Sequence, residues 1–266
     1  MLPAAMLDVQ RDHCVLDMCA APGSKTTQLV EKVAGGAGVV VANDADPLRC
    51  YTLVKRTASL GVRAASLVVT CHGAQAMPRP PPLEEGGAGN GARNGAGNGA
   101  AAAAGGFDRI VCDVPCTGDG TTRKHPEVFH RWEVALAQRQ HPLQLQIAMR
   151  GAALLKPGGL MCYSTCSLNP IENEAVVAEL LRRCGGALEL VPDKHPVATQ
   201  LAGGCAPGMA TWTVLDSGLQ RHDGLSSVRR CERLSDGERR LYCASMWPPQ
   251  EPAIAAQLSR CTCLAT

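Results

Sequence analysis

Short apolar runs alternate with helical patterns along the chain. Runs of five to eight residues that are typical of buried strands lie at 14–18, 38–44, 66–70, 107–114 and 159–165. Helical patterns follow at 24–33, at 47–60, in a helix that runs to Leu155 and starts or kinks at Pro142, and at 170–184. Because helices separate continuously apolar strands, the sequence predicts an α/β fold in which a mostly parallel sheet carries helices on both faces.

One low-complexity segment interrupts this alternation. Residues 78–106 are rich in Gly, Ala, Pro and Asn. Such a composition buries too little apolar surface to offset the entropy of ordering the chain, so it predicts a disordered loop. The pattern after Glu189 is less periodic. We expect one domain over 1–266, since a chain of 266 residues suits one large domain.

Charge and cysteine content narrow the class of protein. The net charge is +2 and 3% of residues are aromatic, so neither a dedicated basic clamp nor a broad base-stacking platform is indicated, although a local basic patch is allowed. The sequence shows no secretory signal and no apolar run as long as a membrane span. We therefore expect an intracellular, reducing setting in which most of the 14 cysteines are free thiols.

A tight turn of small residues follows the first predicted strand. Ala20, Ala21 and Gly23 leave room for a ligand beside the backbone, and the next helix offers unpaired N–H groups. The turn does not have the spacing of a phosphate-binding Walker loop. Asp44 ends the second strand, where it can accept hydrogen bonds from two ribose hydroxyls or serve as an acid at the N-terminus of the helix that Pro47 opens. A nucleoside without phosphates, such as S-adenosylmethionine, fits both features.

Two cysteines follow two later strands at the same predicted edge of the sheet. Cys116 lies in the turn after the strand that ends at Asp113, and Cys166 lies at the end of the next strand. Loops at this edge carry function, so we interpret both cysteines as reactive thiols and not as buried structural ones. A zinc site is the alternative for Cys112, Cys116, Cys162 and Cys166, but the sequence has no C-x-x-C pair.

A thiolate beside a methyl donor suits one reaction in particular. Carbon 5 of cytosine is a poor nucleophile, but addition of a thiolate at carbon 6 makes carbon 5 able to attack a sulfonium methyl group. The thiol then needs a lowered pKa, and the reaction needs a group that supports N3 and a base for the C5 proton. Asp113 is placed to hold the N3 edge. Lys25 is placed to stabilise charge on the pyrimidine or to lower the pKa of the thiol.

Four motifs carry a resemblance to a known family. They are DMCAAPGSKT (17–26), NDAD (43–46), CDVPCTGDGTTRK (112–124) and YSTCSLNPIENEAV (163–176), and a late MWPP (246–249) is also similar. With these motifs the chain resembles the NSUN-type (Nop/Sun) RNA cytosine-5 methyltransferases, in particular the eukaryotic tRNA branch. The resemblance extends over most of residues 1–184 and implies a Rossmann-like, S-adenosylmethionine-dependent methyltransferase fold.

The resemblance implies a role for each matching residue. Cys166 is similar to the nucleophile that attaches to carbon 6, and Cys116 to the second cysteine, which releases the methylated product. Asp113 is similar to an aspartate that contacts both cytosine and cofactor, and Lys25 to a lysine near the base. The implied cofactor contacts are Cys19, Ala20, Ala21, Pro22, Gly23, Ser24, Lys25, Asp44 and Asp113. The implied partner is RNA, tRNA in particular, with no metal and no membrane, and the implied location is the nucleus or nucleolus.

The chain also departs from the family pattern. Gly73 stands where the family has an aspartate near the adenine, which predicts weaker cofactor binding. Arg123 and Lys124 end the third motif, where they either contact RNA phosphate or form a solvated basic pair. Family members have an upstream RNA-binding region and closing strands of the sheet, and this sequence shows neither. We therefore expect a domain that is incomplete at both ends. The alternative function is a catalytically weak, RNA-binding remnant of such an enzyme.

Overall fold

A computed structural model describes residues 2–80, 105–191 and 208–250, together with the backbone of 264–265. The strands are β1 (Cys14–Asp17), β2 (Val39–Asp44), β3 (Leu67–Cys71), β4 (Phe107–Asp113), β5 (Leu155–Ser164), β6 (Glu189–Leu190), β7 (Val214–Leu215), β8 (Arg221–His222) and β9 (Leu264–Ala265). The central sheet has the order β3-β2-β1-β4-β5-β9-β6, and β7 pairs with β8 in a separate hairpin. The five strands β3, β2, β1, β4 and β5 run parallel to one another, while β9 is antiparallel to both of its neighbours, β5 and β6.

Helices connect the strands. They are α1 (Leu2–Met6), α2 (Ser24–Val33), α3 (Pro47–Thr57), α4 (Glu127–His130), α5 (Val134–Leu154), α6 (Glu174–Cys184), α7 (Leu225–Arg230) and α8 (Asp236–Arg239). Short 3₁₀ segments lie at Ala58–Ser66, Ala74–Ala76, Asp119–Thr121 and Ala244–Met246. The connections from β1 to β2, from β2 to β3 and from β4 to β5 therefore contain helix, which is the usual crossover between parallel strands.

The apolar side chains of the sheet alternate between two cores. Val15 of β1 packs in a cluster with residues of α1 and α2, and its neighbour Leu16 packs in a cluster with residues of α5 and α6. Successive side chains of a strand point to opposite faces, so helices cover both faces of the sheet. This arrangement confirms the predicted α/β class with a mostly parallel sheet.

The register of the strands brings polar groups to one edge. Asp17 of β1 pairs with Val111 of β4, and Asp113 of β4 pairs with Ser164 of β5. The carboxyl ends of β1, β2, β4 and β5 consequently lie side by side. In sheets of this kind the ligand crevice lies at that edge.

Several predicted boundaries are wrong. Of the two predictions for Pro142, a helix start or a kink, the start is wrong, because α5 begins at Val134 and contains Pro142. Proline removes one N–H from a helix, but buried residues on both sides of it, among them Gln138 and Leu145, hold the segment by packing. The fifth strand begins at Leu155 and not at residue 159, and α6 begins at Glu174 after a turn over 170–173.

The far edge of the sheet carries two short strands. β6 and β9 occupy that edge with two residues each. A separate apolar cluster, which includes Val214, Val228 and Met246, packs the 208–250 region against Ala137 of α5 and against Ile171. This region therefore supports α5 and the chain that leads into α6.

Most of the predicted disordered loop over 78–106 lies outside the described residues. Its described ends meet, because Arg79 Nη1 donates a hydrogen bond to the Gly105 carbonyl at 3.1 Å. Within the described ranges, no helix is both long enough and apolar enough to cross a membrane.

Candidate active site

A cavity of about 360 Å³ opens at the carboxyl edge of β1, β2, β4 and β5. Six of the predicted site residues line it, and they are Cys19, Ala21, Asp44, Asp113, Cys116 and Cys166. The remaining predicted residues do not line it. Ala20, Pro22, Gly23, Ser24 and Lys25 form the turn and the helix start beneath its wall.

The turn after β1 is fixed by backbone hydrogen bonds. The Ala20 N–H donates to the Asn43 carbonyl at 2.7 Å, and the Gly23 N–H donates to the Ala20 carbonyl at 2.7 Å. Gly23 has a φ of +103°, and a Cβ at this position would lie 2.9 Å from the Leu53 side chain. A side chain is therefore excluded at Gly23 by both conformation and space.

Asp44 faces the cavity from the end of β2. Its side chain is buried, and Oδ2 accepts a hydrogen bond from the Ala21 N–H at 3.2 Å and lies 3.3 Å from Nη2 of Arg49. Asp46 is the capping residue of α3, through bonds from the N–H groups of Leu48 and Arg49. Asp44 Oδ1 accepts a hydrogen bond from the Asp46 N–H at 3.2 Å, so Asp44 lies both at the start of α3 and on the cavity wall, and its two interpretations stay predictions.

Lys25 and Asp113 form an ion pair at the centre of the edge. Lys25 Nζ lies 2.5 Å from Asp113 Oδ2, and Ser164 Oγ donates to Asp113 Oδ1 at 2.6 Å. The two charged side chains are 18% and 30% exposed, so solvent screens the pair only in part. Lys25 does not line the cavity itself, but its ammonium group contacts Asp113, which does.

The two predicted thiols meet in the cavity wall. The Sγ atoms of Cys116 and Cys166 are 3.2 Å apart, and both cysteines are free. The pKa of Cys166 is lowered to about 7, first by the hydrogen bond from Cys116 and to a lesser extent by Lys25, while burial and Asp113 act in the opposite direction. The same hydrogen bond raises the pKa of Cys116, with burial as the second cause. The shared hydrogen bond therefore favours ionisation of Cys166 over ionisation of Cys116.

Glycines allow the two cysteine loops to approach each other. The Gly120 N–H donates to the Cys166 carbonyl at 3.0 Å, and a Cβ on Gly120 would lie 2.7 Å from that oxygen. The Leu168 N–H donates to Asp119 Oδ1 at 2.6 Å. The loop over 116–121 and the loop over 165–168 therefore form one unit.

Cys19 also lines the cavity, but its chemistry differs. Burial raises the pKa of Cys19 to about 12, and the carboxylates of Asp17, Asp44 and Asp113 add to that effect. A thiolate is needed for nucleophilic attack, so Cys19 remains an inert neutral wall residue at neutral pH.

A second groove of about 290 Å³ opens on the other side of Cys116. Arg131 and Trp132 line it, and the Trp132 side chain is 47% exposed. Arg123 and Lys124 lie on the loop that leads to it. Within the described part of the chain, none of these three basic residues forms an ion pair, so their charges are available to an anionic partner.

The four-cysteine zinc alternative is wrong for this fold. Cys112 packs in the cluster on the α5–α6 face of the sheet, and Cys162 packs in the cluster on the α1–α2 face. One metal ion cannot bind both. In the described ranges, Asp216, His222 and Cys231 form the group that could hold a metal. The polar atoms of Asp216 and His222 in that group already hydrogen-bond to the β7–β8 hairpin, to Ser227 and to each other.

Sequence reasoning missed several residues of the site. Arg49 and Gln75 line the cavity from segments that were interpreted only as helix and loop. Asp17 lies buried beneath it, where Thr26 donates to Oδ2 at 2.8 Å and burial raises the pKa of the carboxyl group to about 7. Glu172 lies behind the two cysteine loops. Its position inside YSTCSLNPIENEAV, the motif that also holds Cys166, was the available signal.

The sheet order and the cavity at its carboxyl edge define a Rossmann-like ligand-binding protein. A solved methyltransferase homologue from Pyrococcus horikoshii is similar, with a TM-score of 0.53 and 28% identity over 79% of this chain and 54% of that one. The predicted Rossmann-like methyltransferase fold is confirmed.

The chain belongs to the 16S rRNA methyltransferase RsmB/F family, whose profile matches residues 4–210. It is 38% identical to the multisite-specific tRNA:(cytosine-C(5))-methyltransferase trm4b of Schizosaccharomyces pombe, over 98% of this chain and 38% of the relative. It is 44% identical to the corresponding multisite-specific enzyme of Saccharomyces cerevisiae, over 82% of this chain and 30% of the relative. The resemblance that the motifs carried is confirmed, and the chain spans about a third of the length of these relatives.

Proposed function

We propose that the chain transfers a methyl group from S-adenosylmethionine to carbon 5 of cytosine in RNA, and that this RNA is tRNA. The observation that carries the proposal is the Cys116–Cys166 thiol pair, 3.2 Å apart on the wall of a cavity that also presents Asp44. A small-molecule methyltransferase has no need of such a pair. The tRNA methyltransferases among the relatives support the choice of tRNA.

The cavity fits the proposed cofactor. Its volume of about 360 Å³ falls within the usual range for ligand pockets of about 300–1,000 Å³. Asp44 offers a carboxylate to the ribose hydroxyls, and Ala21 and Gly73 leave space along the two walls. When bound, S-adenosylmethionine supplies the sulfonium methyl group.

Cys166 begins the proposed reaction as the nucleophile. With a pKa of about 7, a substantial part of this thiol is ionised at neutral pH. Addition of the thiolate to carbon 6 forms an S–C bond and opens the C5=C6 double bond, which leaves carbon 5 with the electron pair that takes the methyl group. Asp113 holds the N3 edge of the base. Lys25 stabilises negative charge that develops on the ring.

Cys116 acts in the second half of the proposed reaction. The raised pKa of Cys116 depends first on its hydrogen bond to Cys166. Once the sulfur of Cys166 is bonded to carbon, this cause disappears and Cys116 ionises more easily. It can then take the C5 proton, which restores the C5=C6 double bond and breaks the S–C bond. Cys166 thus attacks carbon 6, and Cys116 allows the methylated base to leave.

The groove beside Cys116 supports RNA as the substrate. A target base must leave its stack to reach a cavity of this kind, and its neighbours must be held nearby. Trp132 offers an exposed aromatic face, and Arg131, Arg123 and Lys124 offer positive charge to phosphate. A nuclear or nucleolar location rests on the family resemblance alone, and imaging of a tagged chain tests it.

A covalent trap tests the proposed function. The Cys116→Ala variant is incubated with S-adenosylmethionine and unmodified tRNA, and a denaturing gel is used to detect a protein–RNA adduct. We expect a shifted band, because the S–C bond forms but is not released. The Cys116→Ala/Cys166→Ala double variant should give no band. A Cys184→Ala variant controls for loss of an unrelated thiol, since Cys184 lies at the end of α6, and it should also give no band.

The absence of a band from folded Cys116→Ala protein would favour the remnant alternative. The feature that favours this alternative is Gly73, which places no carboxylate on the cavity wall. Titration with S-adenosylmethionine then separates two causes. Weak cofactor binding would point to Gly73, whereas normal cofactor binding would point to lost RNA binding.

A further inference from the structure

Glu172 places a carboxylate at the junction of the two cysteine loops. The residue is fully buried, with 0% exposure. It accepts a hydrogen bond from the Thr117 N–H at 2.9 Å, from Thr117 Oγ1 at 2.5 Å, from Ser167 Oγ at 2.6 Å and from Gln144 Nε2 at 2.9 Å. Two of these three partners follow a cysteine directly in the sequence.

The burial of this carboxylate is costly. Among the described residues, no lysine, arginine or histidine forms an ion pair with Glu172. A buried carboxylate without a cation needs several hydrogen-bond donors to offset its desolvation. The donors here come from both cysteine loops and from α5, so the same bonds that satisfy Glu172 also fix these segments to one another.

Glu172 is itself held in place. Tyr163 Oη donates to the Glu172 carbonyl at 2.6 Å, and the Glu172 N–H donates to the Asn169 carbonyl at 3.0 Å. Tyr163 lies within β5, so the anchor is tied to the central sheet and not only to a loop. The carboxylate is absent from the lining of the cavity, and none of its four hydrogen bonds involves a sulfur atom.

We propose that Glu172 is a positioning residue, which holds the loops of Cys116 and Cys166 so that the two thiols share a hydrogen bond. This inference deepens the proposed function, because the shared hydrogen bond is what makes Cys166 a thiolate and Cys116 a proton donor. A displacement of either loop by about 1 Å would break the sulfur–sulfur contact, and small displacements of this size are known to be costly in active sites.

The test measures thiol reactivity without RNA or cofactor. Wild-type and Glu172→Gln chains are alkylated with iodoacetamide across a range of pH, and the modified Cys166 peptide is quantified by mass spectrometry. Cys116, Asp113 and Lys25 are the titratable groups that face Cys166, and all three are retained. We expect the midpoint of Cys166 alkylation to rise by about one pH unit and its rate near pH 6 to fall about tenfold.

Two matched controls separate positioning from general stability. Glu174→Gln makes the same substitution two residues away, where the side chain accepts from the Met209 N–H and not from a cysteine loop. We expect the wild-type midpoint in this control. A purely structural role would lower the melting temperature of Glu172→Gln and leave the midpoint of Cys166 alkylation within about 0.3 units of wild type; that result would overturn the proposal.

A second pair of variants applies if Glu172→Gln does not fold. Thr117→Val removes one hydroxyl donor to Glu172 but keeps the backbone N–H, and Thr117→Ser keeps both. We expect a raised midpoint in Thr117→Val and the wild-type midpoint in Thr117→Ser; identical midpoints in both variants would contradict the inference. The assay needs no methyl transfer, so its failure and the failure of the proposed function are distinguishable.

Discussion

The Sγ atoms of Cys116 and Cys166 lie 3.2 Å apart, although 50 residues separate them in the sequence. Parallel pairing of β4 with β5 brings the two strand ends together, and the hydrogen bonds between the following loops complete the approach. A single proton shared by two sulfurs makes one of them a thiolate and the other a thiol. The proposed mechanism needs both states at once.

The first prediction concerns the pH dependence of this pair. In Cys116→Ala the hydrogen bond that lowers the pKa of Cys166 is lost, so we expect the alkylation midpoint of Cys166 to rise from about 7 toward the ordinary thiol value of about 8.5. The thiolate fraction at pH 7 falls accordingly. The measurement is site-resolved alkylation followed by mass spectrometry. The tRNA adduct of this variant should then form faster at about pH 8.5 than at pH 7. An unchanged midpoint would show that Cys116 does not donate to Cys166.

The second prediction concerns the nucleophile. Cys166→Ala should abolish methylation of tRNA, because it removes the sulfur that forms the proposed bond to carbon 6. Binding of S-adenosylmethionine, measured by calorimetry, should stay within about twofold of wild type, since the thiol attacks the RNA and not the cofactor. Cys184→Ala is the control and should retain activity. Undiminished turnover in Cys166→Ala would disprove the assignment.

The third prediction uses two neighbouring aspartates. Asp44→Asn removes the charge that faces the cavity, and we expect affinity for S-adenosylmethionine to fall at least about tenfold, as for loss of a charged hydrogen bond. Asp46→Asn is the control, because Asp46 caps α3 and asparagine caps equally well. Calorimetric titration of both variants checks this. Equal affinities in the two variants would place the ribose elsewhere.

The fourth prediction is a gain of affinity. Gly73 lines the cavity with φ −58°, a conformation that any residue adopts, and a Cβ there would meet the flexible end of Gln75 at 3.1 Å. Gly73→Asp therefore adds a carboxylate to the wall at low steric cost. We expect S-adenosylmethionine to bind about tenfold more tightly, and Gly73→Asn to give a smaller gain. Unchanged or weaker binding in Gly73→Asp would show that this departure does not limit the affinity.

Much of this site was predictable from local sequence. Continuous apolar strands separated by helices predicted the parallel sheet, and the parallel sheet predicted that the ends of β1, β2, β4 and β5 share one edge. Asp44, Asp113, Cys116 and Cys166 were therefore placed together correctly. The turn over 19–25 was also predictable, because small residues before a helix leave the backbone accessible.

The remaining features depend on contacts that the sequence does not display. Pro142 predicted a helix start or a kink, but α5 continues through it, because burial on both sides of Pro142 outweighs the local preference. Glu172 gave no sign that its partners would be Thr117 and Gln144, since those contacts follow from the packing of α5 against the loops. The pKa values of the two thiols likewise depend on a distance, which only the folded chain provides.

The fifth prediction concerns RNA binding in the groove beside Cys116. Trp132 is 47% exposed there, and stacking of a base on such a side chain is worth about 1–3 kcal/mol. We expect Trp132→Ala to weaken tRNA binding about tenfold without a change in cofactor affinity, and Trp132→Phe, which keeps an aromatic face, to bind within about threefold of wild type. Filter binding at fixed salt measures both variants.

Fluorescence of the wild type gives a second test of the same groove. RNA should quench tryptophan fluorescence, because Trp132 is the exposed indole among the described residues. The Nε1 atoms of Trp212 and Trp247 instead donate hydrogen bonds to backbone carbonyls. Wild-type affinity in Trp132→Ala would exclude the groove as a base-binding surface.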